Sequence, residues 1–379
     1  MKIGIVLYPT FGGSGIVATE LGTELAKKGH EIHFITYSQP VRLDRFQQNV
    51  YYHEVSMFDY PLFDYQPYEL ALTSKLVDVT MHEGLDLLHV HYAIPHASAA
   101  YFAQKILESK GIKIPFITTL HGTDITLVGK DPSFEPVITF SINESNAVTV
   151  VSESLKSDTC EHFDITNLIE VIPNFIRHEK YDSSNNTVCR KKEFAPNGER
   201  IITHVSNFRK VKRVEDVLYT FKKINDIIPS KLLLVGDGPE RLKLEGICRD
   251  LDICNDVKML GKIQNVSEVL CVSDLFILPS VTESFGLAAL EALASSVPVI
   301  STNTGGLPEV NKHGFSGFLS AVANIDDMAK NALKILTIDS ELAKFKKQAY
   351  QQSLQFSIEN ILPKYEALYQ RVCCMLDRK

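Results

Sequence analysis

Apolar residues in this chain fall into short unbroken runs separated by longer amphipathic stretches. In the first half the runs are KIGIVLY (2–8), EIHFITY (31–37), DLLHVHY (86–92), FITTLH (116–121) and NAVTVVS (146–152). Runs of this length without polar alternation predict strands buried on both faces, as in a parallel sheet covered by helices. Helices are predicted between them, for example over 16–28, ended by Gly29, and over 96–110, ended by Gly111. IEVIPNF (169–175) closes this half, and the polar stretch HEKYDSSNNTVCRKKEFAPNGER (178–200) has the composition of a linker or exposed loop. The alternation then restarts with RIITHVSNF (200–208), KLLLVGDG (231–238), VKMLG (257–261), DLFILPS (274–280) and VPVISTN (297–303). The reading is an α/β protein of two doubly wound, Rossmann-like domains, 1–170 and 171–357. Ligands of such sheets bind beyond the carboxyl ends of the strands, so the site is expected in a cleft where those ends face each other.

Length agrees with two domains, since 379 residues with 45% hydrophobic content can bury two cores. The 39 basic and 46 acidic residues leave a net charge of −7, which argues against a nucleic-acid partner held by bulk charge. The start MKIGIVLYP lacks the features of a signal peptide, and no apolar run approaches the roughly 18 residues of a membrane span, so a cytoplasmic protein is expected. MFDYPLFDYQPY (57–68) is aromatic but acidic and reads as a packed or acceptor-side loop rather than a membrane patch. The seven cysteines are scattered without CxxC pairing, which favours neither a disulfide framework nor a zinc site.

Candidate chemistry lies where strands end. In PSVTESFGLAALEALA (279–294) a helix is predicted over 287–294, with free amides beginning near Phe285, Gly286 and Leu287, a place for a diphosphate. Glu283 and Glu291 are eight residues apart; were all eight helical, the rise would be about 12 Å, comparable to the reach from hexose to ribose in a nucleotide sugar. The bland alternative is a surface helix with an acidic first turn. TFGGSG (10–15) follows the first strand and opens a helix, where glycines permit close backbone approach and Ser14 supplies a hydroxyl. Its spacing is not the dinucleotide fingerprint. SNFRKVKR (206–213) places Arg209 and Lys212 where they would neutralise a diphosphate, or else form a solvated basic face. His89 and His91 point to one side of their strand, but without a carboxylate or cysteine at matching spacing they read as hydrogen-bonded core residues, not metal ligands. His121 and Asp124 follow another strand end, Asp124 being also a candidate turn cap.

The Glu-x7-Glu pair in its ESFGL setting resembles the retaining glycosyltransferases of family 4. That resemblance implies the two-lobed GT-B fold, with a last helix at about 358–374 crossing back onto the first domain. It implies that Glu283 bonds the donor hexose and Glu291 the ribose, while Phe285, Gly286 and Leu287 lie near sugar and phosphates. Gly13 and its neighbours would approach donor phosphate or acceptor. Arg209 and Lys212 would hold the diphosphate; this chain has Asn207 where the family commonly has arginine, so Arg209 would take that role through a shifted backbone. His121 would orient the sugar or stabilise its developing positive charge.

YPTFGGSG, HVHYAIPHA, TTLHGTDIT, HVSNFRKVKR, LLLVGDGPE, ESFGL and NTGGLPEV together resemble one branch of the family, over almost the whole chain. In that branch N-acetylglucosamine passes from UDP-N-acetylglucosamine to the hydroxyl of L-malate in bacillithiol biosynthesis. Ser14, Tyr92 and Thr119, on strand-end loops of the first domain, are the candidates for holding malate. No carboxylate stands out as a nucleophile, so a front-face substitution is expected, with a β-phosphate oxygen taking the acceptor proton. Neither a cofactor nor a metal is expected, because such enzymes generally lack an Asp-x-Asp motif and none stands out here. The alternatives are another small hydroxy acid, a sugar phosphate or a lipid as acceptor, a UDP-N-acetylglucosamine epimerase, and a non-catalytic nucleotide-sugar binder. A homo-oligomer is compatible with the sequence, which does not fix the oligomeric state.

Overall fold

In the computed structural model, residues 1–10, 12–43, 46–57, 66–127, 129, 131–181 and 191–376 are described. Residues 58–65 of the aromatic segment 57–68, and Cys189, lie outside them.

Two compact units are present. The first comprises Met1–Asn174 with Glu359–Lys379, and the second Phe175–Ile358; the breaks expected from sequence were after 170 and 357. The first sheet contains β1 (Lys2–Val6), β2 (Glu31–Thr36), β3 (Val50–Glu54), β4 (Leu87–His91), β5 (Phe116–Leu120), β6 (Ala147–Val150) and β7 (Ile169–Val171). Its strand order is β3-β2-β1-β4-β5-β6-β7, and each pairing is parallel. The second contains β8 (Arg200–Val205), β9 (Ser230–Val235), β10 (Val257–Gly261), β11 (Leu275–Leu278), β12 (Val299–Thr302) and β13 (Gly317–Ser320), ordered β10-β9-β8-β11-β12-β13, again parallel. The second order is the 3-2-1-4-5-6 arrangement of the doubly wound fold, and the first is the same arrangement extended by a seventh strand, β7.

The apolar runs became the central strands: β4, β5 and β11 are buried along their whole length. Two edge strands, β3 and β13, were not anticipated. An edge strand is not buried like a central one, so its sequence need not be an apolar run; VYYHE of β3 leaves no residue fully buried, and GFLS of β13 is only four residues long. The helix expected at 16–28 spans Gly13–Lys27, and the one expected at 96–110 spans Ser98–Glu108 after an irregular turn at Ala93–Ala97. Both terminators hold: Gly29 and Gly111 adopt φ of 91° and 78°, the left-handed conformation that closes a helix.

Each unit has its own core. In the first, Val6, Ile35, Leu76, Leu88, Val90 and Phe116 interlock on one face of the sheet. In the second, Phe221, Leu232, Leu234, Ile277, Ile300 and Met328 do so. Each such side chain contributes roughly 1.5–3 kcal/mol by burial.

The stretch 178–200, read as a linker or exposed loop, falls within the second unit, and its residues 182–190 lie outside the described ones. His178–Lys180 forms a turn and Lys191–Phe194 a helical turn of the second unit. There the Lys191 ammonium donates to both carboxylate oxygens of buried Asp274 at 2.9 and 2.8 Å. The chain passes between units at 174–175 and 358–359 instead. The last helix, Ile358–Leu376, buries Tyr365, Leu368, Tyr369 and Val372, and the Tyr369 hydroxyl lies 2.8 Å from His89 Nδ1. Among the described residues no helix is long and apolar enough to cross a membrane.

Candidate active site

In a doubly wound sheet the strand order reverses once, and loops leaving the two strands at that point diverge to open a crevice. Those strands are β1 and β4 in the first unit and β8 and β11 in the second.

In the second unit Lys212, after β8, meets Glu283, after β11. The Lys212 ammonium forms an ion pair with Glu283 Oε1, and Ser280 Oγ donates to the same oxygen at 3.0 Å. The loops are tied through backbone as well, since Val281 N–H donates to the Val211 carbonyl at 2.9 Å. From the next strand, Gly306 N–H donates to the Glu283 carbonyl at 2.8 Å. Gly305, at φ 56°, comes so close that a Cβ there would lie 2.0 Å from the same oxygen. Any side chain at 305 would push Glu283 out of place.

Glu283 stands in the loop before the helix Leu287–Ala294, not on it. The helical-rise estimate of its distance from Glu291 therefore does not apply. Gly286 is the N-cap, with φ 96° and no side-chain cap, so the first-turn amides remain available for an anion. Phe285 offers only its backbone: its ring is 3% exposed and packs edge-on against Phe356, centroids 5.5 Å apart. Glu291 is buried in the helix, where the Tyr181 hydroxyl donates to Oε1 at 2.6 Å. Tyr181 lies in the polar stretch read as a linker, and only the aromatic residue inside that polar run signalled a packed position.

The basic segment divides by role. Arg213, at φ 46°, donates two hydrogen bonds of 2.5 and 2.9 Å to Asp216 and stands at the N-cap position of the helix Val214–Asn225 without a side-chain cap. Arg209 and Asn207 are exposed on either side of fully buried Phe208. Phe208 is pinned by the loop after β9: its N–H donates to the Asp237 carbonyl and its carbonyl accepts from Glu240 N–H, both at 3.0 Å. Beneath them, burial pulls His204 down to about 4, keeping it neutral between the Ile277 carbonyl and Ser206 Oγ.

In the first unit Gly13 and Ser14 open the helix Gly13–Lys27, whose N-cap Gly12 supplies no side-chain cap. Ser14 Oγ lies 2.6 Å from the hydroxyl of Tyr92, which follows β4. Tyr92 holds φ at 89°, a strained conformation for a residue with a side chain, and burial pushes its phenol up to about 12. Behind it stands a group of neutral histidines. His91 Nδ1 lies 2.8 Å from His121 Nε2, and His89 Nε2 lies 2.7 Å from Thr119 Oγ1. Burial pulls His121 and His89 down to about 3 and His96 to about 4. Asp124 receives N–H donors from Ala93 at 2.8 Å and Gly122 at 3.2 Å, tying the loops after β4 and β5; burial nevertheless raises its carboxyl to about 6.

Thr119 is a correction. It is fully buried, and its hydroxyl is engaged by both His89 and Thr149, the latter at 2.6 Å. It supports the layer beneath the crevice and is not placed to touch an acceptor. Ser280, Tyr181 and the Gly305–Gly306 loop are site elements that received no role from sequence, although Ser280 and the two glycines lie within the motifs singled out.

Comparison with known proteins agrees with this architecture. The model for Glycosyltransferase Family 4 matches residues 11–180, and the model for group 1 glycosyl transferases matches residues 185–352. The chain is 47% identical over 371 residues to the N-acetyl-alpha-D-glucosaminyl L-malate synthase of Bacillus anthracis, covering 97% of this chain and 96% of that protein. Among solved structures, sucrose-phosphate synthase from Thermosynechococcus elongatus superposes with a TM-score of 0.81 at 19% identity, over 99% of both chains. Anabaena HepE, solved with UDP and glucose, does so with 0.80 at 19% identity, over 98% of this chain and 99% of that one. The chain belongs to the glycosyltransferases that join a family 4 amino-terminal half to a group 1 carboxy-terminal half, in the GT-B fold.

Proposed function

We propose that this glycosyltransferase moves N-acetylglucosamine from UDP-N-acetylglucosamine to the hydroxyl of L-malate with retention at the anomeric carbon, the first step of bacillithiol biosynthesis. The observation that carries the substrates is the 47% identity to a named L-malate synthase across both units.

The geometry supports the following mechanism. The helix amides after Gly286, together with Lys212 and Arg209, receive the diphosphate. Lys212 now neutralises Glu283; with donor bound it turns to phosphate while Glu283 accepts hydroxyl hydrogens of the hexose. Glu291, held by Tyr181, accepts from the ribose. Ser14, Tyr92 and the uncapped amides of Gly13 and Ser14 bind malate carboxylates. His121, neutral, orients the sugar and faces the charge that develops on its ring. The malate oxygen bonds to the anomeric carbon on the face that the phosphate leaves. The bond from that carbon to the β-phosphate oxygen breaks, and a β-phosphate oxygen carries the malate proton away with UDP. Cationic side chains and amides compensate the leaving charge, so the transfer is proposed to need no metal.

The test is UDP release by the purified protein with UDP-N-acetylglucosamine, with and without L-malate, and proton NMR of the product's anomeric signal. Malate-dependent release with an α product is expected, undiminished by EDTA. Release without malate would point to hydrolysis or epimerisation, and a β product would overturn retention.

A further inference from the structure

The edge of the first unit's sheet, at β2 and β3, holds a group of side chains that sugar transfer does not use. β3 lies parallel to β2 with His33 beside Tyr51 and Ile35 beside His53, so the alternation of side chains puts His33 and His53 on one face at this sheet edge. His33 Nδ1 lies 2.9 Å from His53 Nε2, the rings stacked with centroids 5.2 Å apart. The turn Thr80–Gly84, which follows the helix Tyr68–Val79, brings Glu83 to the same place. One ligand atom from each of the three residues lies within 4.8 Å of the others. His33 is buried, and His53 and Glu83 are half-buried.

A fourth residue prepares His33. Glu31 Oε1 lies 3.1 Å from His33 Nε2 and is itself bridged to the Lys2 ammonium at 3.1 Å. A carboxylate there places the proton on Nε2 and aims the Nδ1 lone pair at His53 and Glu83. Histidine ligands of metals are oriented in this way, with an outer carboxylate fixing tautomer and ring direction. The proton now shared between the rings belongs to His53 Nε2 and would move to Nδ1 of the same ring.

We propose that His33, His53 and Glu83 form a binding site for a divalent cation of the zinc type, with water as fourth ligand. Two imidazoles and one carboxylate suit that ion. Ligand bonds of about 2.0–2.1 Å in a tetrahedron set neighbouring ligand atoms about 3.3 Å apart, so the histidine nitrogens need open by only a few tenths of an ångström. The site lies at the β2–β3 edge of the sheet, where His33 stands beside Gly4 of β1 and His53 beside Ile35 of β2. Its ion clamps β2, β3 and the 80–84 turn, and none of its ligands is among the residues assigned to transfer.

The test uses the full-length protein, stripped with chelator and desalted. Zinc is titrated in competition with a chromophoric chelator, and the thermal midpoint is read with and without zinc. Expected are one zinc per chain and a raised midpoint. Glu31→Gln weakens binding roughly 10–100-fold, the cost of an outer-shell partner, and His53→Gln and Glu83→Gln weaken it further. His82→Ala, which removes an exposed neighbouring ring, leaves it intact. Absence of zinc uptake by the unaltered protein would overturn the proposal, as would equal uptake by it and by His53→Gln and Glu83→Gln. Neither readout involves a sugar nucleotide, so its failure and that of the transferase reading are separate results.

Discussion

The two units bring residues together at the same topological position by different chemistry. Where the strand order reverses in the first, Ser14 meets Tyr92 through neutral hydroxyls over a layer of neutral histidines. Where it reverses in the second, Lys212 meets Glu283 as an ion pair beside an uncapped helix terminus. One fold thus supplies a crevice suited to orienting a small polar acceptor and another suited to a diphosphate and its sugar. Topology decides where side chains converge, and residue type decides what they do there.

The sharpest break of this comparison is Glu283→Gln, which keeps the shape and removes the charge. It is expected to lower the rate of UDP release about 100–1,000-fold, the scale of losing one preorganised electrostatic contact. The thermal midpoint should move by less than the roughly 2–4 °C that 1 kcal/mol produces in a protein of this size. Near-normal turnover would remove Glu283 from the chemistry.

Acid should separate the units. His89, His96 and His121 have folded pKa values depressed from 6.5 to about 3, 4 and 3. For such bases the stabilisation is complete above pH 6.5 and is lost as pH falls toward the folded values. At pH 5 the loss reaches about 2 kcal/mol per ring. Asp124, raised to about 6, works oppositely, since its stabilisation is lost as pH rises from 3.8 through 6, and it offsets about one ring. In the second unit the corresponding buried ring is His204. Hydrogen exchange at pH 7 and pH 5, corrected for intrinsic rates, should show protection falling further in peptides from β4 and β5 than in those from β8 and β11. Equal loss would contradict the contrast.

Ser14→Ala should raise the KM for malate about tenfold, the effect of one hydrogen bond to a charged group, with little change in the KM for UDP-N-acetylglucosamine. Tyr181→Phe should do the reverse on a smaller scale, raising the donor KM about threefold by loosening Glu291. A malate effect from Tyr181→Phe would show that the two crevices do not divide donor from acceptor.

The candidate site was legible in the chain as a set of strand ends, because strand ends follow from buried apolar runs. Gly13, Ser14, Tyr92, His121, Lys212 and Glu283 were nominated from strand ends together with the family motifs, and the fold brings Ser14 to Tyr92 and Lys212 to Glu283. What could not be read was which side chains the fold engages elsewhere. Thr119 and Ser14 look equivalent in sequence, both hydroxyls near strand ends, yet Thr119 is locked between His89 and Thr149. Arg213 and Lys212 are adjacent cations, yet a left-handed backbone turns Arg213 to Asp216 and leaves Lys212 to Glu283.

By itself the sequence determined the α/β class, the repetition of the doubly wound pattern and the family motifs, because periodicity and motif spacing are local properties of a chain. Tertiary structure decided the edge strands, the pairing of Tyr181 with Glu291 and the convergence of His33, His53 and Glu83. Those contacts join residues separated by 20 to 110 positions, and only the packing of strands and helices brings such distant groups within hydrogen-bonding distance.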